Sequence, residues 1–192
     1  AEQARTGPSS HLKIKLDGEQ PVERIAAVRT ARPEAVLVVD ANQSWTPAIL
    51  DNAAPRLAAL GVAMIEQPLP AGADAALDGY DGPIPLGADE SCQTVADLEG
   101  LGSGYSVINV KLDKTGGLTG ALQLAREARA RGYDLMVGCM AGTSLSMAPA
   151  FVIAQMCRFV DIDGPLLMAR DREPALVFQD GRVSPPDRGL WG

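Results

Sequence analysis

Ionisable side chains close a series of short apolar runs in this sequence. Lys15 is next to last in LKIKL, Asp40 ends VLVVD, Glu66 ends VAMIE, Asp89 ends IPLGAD, Lys111 ends SVINVK, and Asp161 and Asp163 sit in RFVDID. The steps between the first five are 25, 26, 23 and 22 residues. Asp40, Glu66 and Asp89 are oxygen donors of the kind a hard cation such as Mg²⁺ takes, with room left for water and a substrate carboxylate. Each alone could be a helix cap or a solvated loop charge; three in register favour a metal. The lysines point the same way, because only four of the 17 basic residues are Lys: Lys13, Lys15, Lys111 and Lys114. Arginine stays protonated, whereas burial and nearby charge can tune a lysine into a base. Lys13 and Lys15 stand two apart and share a strand face, where two ammonium groups and a metal would depress each other's pKa. The alternative is a pair of surface lysines on a wet edge. Asp161 and Asp163 also share a face and could hold a cationic group or a second metal; the alternative is a helix cap with a turn residue. His11 is the only histidine, and Cys92, Cys139 and Cys157 form no CxxC pair. Histidine catalysis and a zinc site are therefore excluded, and free thiols in a reducing cytoplasm are expected.

The apolar runs are short and buried in pattern, as parallel strands covered on both faces should be. Between them, Val22, Ile25 and Val28 recur at helical spacing in residues 19–32, as do Leu118, Leu122 and Ala125 in residues 118–131. Pro55 is expected to kink or break a helix over residues 46–60. Repeated strand–helix units make an α/β fold with a parallel sheet. A doubly wound sheet would spread the strand-end charges along an edge, whereas a barrel gathers them at one mouth, so a TIM-type barrel is expected. With YDLMVG (133–138), which ends without a charge, only seven strands are visible, and residues 1–5 read as the tail of a helix that would follow a missing first strand. Residues 1–174 are expected to form the barrel and 175–192 an extension that leaves through the DGR turn.

Composition limits the partners. Net charge is −7 with no basic run, which excludes nucleic acid. No apolar stretch approaches the roughly 18 residues of a membrane span, and the N-terminus lacks a signal-peptide core.

In order, LKIKLDG, VVDANQSW, IEQPLP, GADES, NVKLDKTGG and VGCMAGTS resemble the muconate-lactonizing branch of the enolase superfamily over residues 12–146. DIDGP narrows the resemblance to dipeptide epimerases. The resemblance implies a (β/α)7β barrel, here without its first strand and its N-terminal α+β capping domain. It implies one Mg²⁺ per site, or Mn²⁺, on Asp40, Glu66 and Asp89. It gives Lys15 and Lys111 as the two acid–base lysines, Lys13 as their helper, and Asp161 and Asp163 as the clamp for a substrate α-ammonium, with Asn42 also at the substrate. The implied reaction is epimerisation of a dipeptide, L-Ala-D/L-Glu first, through an enediolate next to the C-terminal carboxylate. Many relatives carry an acidic residue where this chain has Gly142 and Thr143. Muconate cycloisomerase, N-acylamino acid racemase and o-succinylbenzoate synthase share the lysines and carboxylates, but their substrates lack the ammonium that two aspartates would bind. A reading of another class is a catalytically incomplete barrel that serves only in assembly. With the first strand missing, residues 12–16 and 158–163 would be open edges, so a preceding segment, a separate chain or a homo-oligomeric partner is expected to fill the gap.

Overall fold

The computed structural model describes residues 9–191. The expected helix tail at residues 1–5 lies outside them. The chain divides into two compact units, one of residues up to Ser91 with Leu101–Ser106, the other of Cys92–Gly100 with residues from Val107 onward.

In the first unit, β1 (His11–Lys15), β2 (Val36–Asp40), β3 (Val62–Glu66) and β4 (Leu86–Ala88) lie parallel in that order. The helices Pro21–Ala31 and Pro47–Ala59 join the first three. Leu37, Val39, Met64 and Ile65 are fully buried, as strands covered on both faces require. Val22, Ile25 and Val28 form the buried stripe of one helix, and Leu50, Ala53, Ala54 and Leu57 that of the other. Thr46 caps the second helix by accepting from the Ile49 N–H.

That helix runs unbroken through Pro55, contrary to the break expected there. Pro55 faces solvent, so a carbonyl left without its helical donor can be hydrated, while the buried stripe on the other side holds the helix together. Arg29 ties the turns together, donating to the backbone carbonyls of Leu60, Arg32, Pro33, Ala35 and Gly61.

Register matters to the site. β1 and β2 pair Lys13 with Val38 and Lys15 with Asp40. Between β2 and β3 the ladder slips once: Leu37 faces Val62, but Val38 faces Met64, so Ala63 is an extra residue. Without that bulge Asp40 would face Ile65; with it, Asp40 faces Glu66.

The second unit holds β5 (Val107–Val110), β6 (Asp134–Val137) and β7 (Phe159–Val160), parallel in that order. Its long helix is Leu118–Ala130, with Ala121, Leu124, Ala125 and Ala128 buried. Of the expected stripe Leu118, Leu122 and Ala125, Ala125 is buried while both leucines are half-buried, so the buried face lies to one side of the one expected. Only Phe159–Val160 of the RFVDID run is strand. Near the C-terminus, β8 (Phe178–Gln179) and β9 (Arg182–Val183) form a hairpin across Asp180 and Gly181, both with positive φ as a tight mirror-image turn demands. Among the described residues, no helix is long and apolar enough to cross a membrane.

Candidate active site

In the first unit, six of the residues singled out above come together toward the C-terminal ends of the strands. Asp40 and Glu66 are the last residues of β2 and β3, and Asp89 follows β4 directly. All three are essentially inaccessible to solvent, at 1%, 0% and 1% exposure. Lys13 Nζ lies 3.1 Å from Asp40 Oδ2 and 2.9 Å from Glu66 Oε2. Lys15 Nζ lies 2.9 Å from the same Asp40 oxygen and donates to Asn42 Oδ1 at 2.6 Å. Asn42 takes a left-handed conformation with φ 42°, which lets its N–H turn back to Asp40 Oδ1 at 3.0 Å. The i, i+2 relation of the two lysines thus brings both ammonium groups to one carboxylate.

Burial raises the Glu66 carboxyl to about 7, Lys13 opposes the rise, and the negative charges of Asp40 and Asp89 add to it. These carboxylates therefore sense one another in a dry setting. Among the described residues, no three His, Cys, Asp or Glu side chains are gathered into a ready chelate; ammonium groups rest on Asp40 and Glu66. The donor set still suits a hard divalent cation: three buried carboxylates, mutually repelling, with oxygen as the only ligand atom.

Sequence reasoning missed the polar cluster behind these carboxylates. Gln67, fully buried and left-handed at φ 36°, follows Glu66. Its Oε1 accepts from the Asp89 N–H at 2.9 Å and the Ser91 N–H at 3.1 Å. Its Nε2 donates to the Leu69 carbonyl, Ser91 Oγ and Tyr105 Oη. Ser91 and Tyr105 in turn donate to Asp74 Oδ1, at 2.8 and 2.7 Å. The available signal was a Gln between a strand-end carboxylate and a proline, where no apolar residue could make these bonds.

In the second unit, Lys111 follows β5 and is 7% exposed. A Cβ on Gly138 would stand 2.8 Å from Lys111 Cε and 2.7 Å from Asn109 Oδ1, so glycine there leaves the lysine its space. Asp161 lies just past β7, its N–H donating to the Val137 carbonyl at 2.9 Å. Asp163 is exposed and precedes the 3₁₀ turn Gly164–Leu167, while Ile162 between the two aspartates is buried. Burial pushes the Cys139 thiol up to about 11; the Gly164 backbone opposes, Asp161 and Asp163 add to the rise, and Lys111 opposes it. The thiol thus reports the charges of all three residues. Ser144, also fully buried and also missed, bonds Asp171 through both its N–H and its hydroxyl, and accepts from the Leu176 N–H at 2.9 Å.

Residues 1–190 match the family described as enolase C-terminal domain-like. The chain is 52% identical over 172 residues to an L-Ala-D/L-Glu epimerase of Escherichia coli (strain K12), covering 90% of this chain and 54% of that protein. It is 49% identical over 181 residues to an N-acetyl-D-glutamate racemase of a Pseudoalteromonas species, covering 94% of this chain and 58% of that one. The structure matches a dipeptide epimerase from Methylococcus capsulatus, solved with Mg and the dipeptide L-Arg-D-Lys, with a TM-score of 0.87 and 36% identity over 94% of this chain and 55% of that one. The chain therefore spans little more than half the length of these relatives.

Proposed function

We propose a function from one premise: this chain belongs to the enolase C-terminal domain-like family and has its barrel fold. The proposed activity is epimerisation of dipeptides by moving a proton off and back onto the α-carbon beside the C-terminal carboxylate. The observation that carries this reading is the convergence of Lys13 and Lys15 on buried Asp40, with Glu66 beside it. An α-proton next to a carboxylate is very weakly acidic, so its removal needs positive charge where negative charge develops.

Asp40, Glu66 and Asp89 would hold one divalent cation, Mg²⁺ or Mn²⁺, as their burial and oxygen chemistry suit. Bound there, the cation supplies fixed positive charge beside the substrate carboxylate. Lys15 takes the α-proton at Nζ from one epimer, and Lys111 takes it from the other. Lys13 offsets charge on Asp40 and Glu66. Asn42 orients Lys15 by accepting from its ammonium. Asp161 and Asp163 accept from the ammonium of a dipeptide.

The similarity to an N-acetyl-D-glutamate racemase favours a second reading, in which the substrate is an N-acylated amino acid and the two aspartates have another role. Incubating the protein in D₂O with Mg²⁺ and either L-Ala-L-Glu or N-acetyl-L-glutamate, and following the α-proton by NMR, separates the readings. Exchange with the dipeptide alone is the expected result. Exchange with N-acetylglutamate alone would transfer the assignment to the second reading, and exchange with neither would favour the reading of a barrel that serves only in assembly.

A further inference from the structure

From the cluster behind the carboxylates we infer that Gln67 is a positioning residue that sets Asp89 for cation binding. The inference rests on the metal assignment above. One side chain spans two strand ends. Gln67 is joined covalently to Glu66, and its carbonyl oxygen receives the N–H of Asp89 itself.

The orientation of this amide is determined. Asp89 and Ser91 present backbone N–H groups, which can only donate, so the side-chain oxygen must face them. On the other side, Ser91 and Tyr105 spend their hydroxyl protons on Asp74, which leaves their oxygens to accept from the amide nitrogen. The Leu69 carbonyl is a third acceptor. Asp74 thereby selects the amide's orientation without touching it.

The backbone agrees. Gln67 adopts a left-handed conformation that a non-glycine residue rarely takes, and its own N–H and carbonyl are engaged by Gly87 and Gln43. The Gly87 bond continues the ladder between β3 and β4 past Glu66, so main chain and side chain both tie the Glu66 strand to the Asp89 strand. Residues that orient metal ligands from behind commonly change affinity about tenfold to a hundredfold when altered.

The test compares Gln67→Met, which keeps shape without hydrogen bonds, Gln67→Glu, which keeps an acceptor oxygen, and Tyr105→Phe, which removes one acceptor on the far side of the amide. Mn²⁺ binding is followed by electron paramagnetic resonance, and folding by thermal unfolding. Mn²⁺ affinity is expected to fall about tenfold or more in Gln67→Met, to recover at least in part in Gln67→Glu, and to stay within about threefold in Tyr105→Phe. A Gln67→Met protein that folds and binds Mn²⁺ like wild type overturns the inference. So does a Tyr105→Phe protein that loses as much affinity as Gln67→Met, because general loosening would then explain both. If Gln67→Met does not fold, Gln67→Glu against Tyr105→Phe decides: the inference fails if Gln67→Glu binds more weakly. Absence of Mn²⁺ binding by the wild type, or its survival in Asp89→Asn, would instead bring down the metal assignment.

Discussion

Lys13 and Lys15 share one oxygen of Asp40, yet they sit in different surroundings. The Lys13 side chain is 17% exposed and that of Lys15 is 70% exposed. The first is shaped to neutralise buried carboxylates, the second to reach an incoming substrate. In the two-base reading, Lys15→Ala should stop α-deuterium exchange from one epimer and Lys111→Ala from the other, and neither variant should epimerise. NMR of each epimer in D₂O checks this; normal net turnover by either variant would sink the two-base reading. Asp163→Asn should lower dipeptide turnover by about tenfold or more, in line with the roughly 1.5–3 kcal/mol of a hydrogen bond to a charged group. Mn²⁺ affinity should stay close to that of wild type, and equal losses in both would count against the clamp. The thiols offer a pH test that needs no substrate. Burial raises Cys92 and Cys157 to about 12, and Cys139 to about 11. Since the thiolate is the reactive form, alkylation by iodoacetamide in the native state should stay slow at pH 8 and climb only as pH approaches those values. Rapid modification of all three thiols at pH 8 would contradict the burial described.

At the level of elements, the strands were legible because their apolar runs are short and regularly spaced, and most close on a charge. VLVVD and VAMIE became β2 and β3 over the full runs. The helices were less legible. Alanine carries little hydrophobic signal, so of the buried stripe Ala121, Leu124, Ala125 and Ala128 only Ala125 was legible beside the louder Leu118 and Leu122. Pro55 signals a kink or a break, because sequence does not say which side of a helix meets water. The polar nodes at Gln67 and Ser144 were hidden for a different reason: apart from the Leu69 carbonyl, their partners lie 22–38 and 27–32 residues away, and nothing local marks the pairing. Ser144 gives the element-scale prediction. It accepts from the Leu176 N–H and donates to Asp171, so Ser144→Ala leaves a buried donor unmet. A loss of roughly 1–3 kcal/mol is expected by urea denaturation, with the slope unchanged. A variant as stable as wild type would show that the node does not hold residues 171–176.

For the molecule as a whole, the strand-end charges made the barrel readable, since a 22–26 residue step brings each new carboxylate or lysine to the same end. The bulge at Ala63 was not readable, although it sets Asp40 against Glu66. Cation binding couples the site to global stability, because a ligand that binds only the folded state raises its stability by about 2.7 kcal/mol at a hundred times its dissociation constant. Mg²⁺ should therefore raise the melting temperature, EDTA should reverse the rise, and Asp89→Asn should abolish it. A melting temperature indifferent to Mg²⁺ in the wild type would contradict metal binding at these carboxylates.

The scarcity of lysine has a practical side. Lys13 and Lys15 rest against Asp40, Lys111 is almost wholly buried, and Lys114 is half-buried. Among side chains, the most accessible amine is therefore Lys15, the group assigned to proton transfer. Amine-directed dyes, cross-linkers and resin coupling, which in most proteins scatter harmlessly over a lysine-rich surface, should here fall first on the working part of the molecule. Attachment through an engineered surface cysteine would spare it.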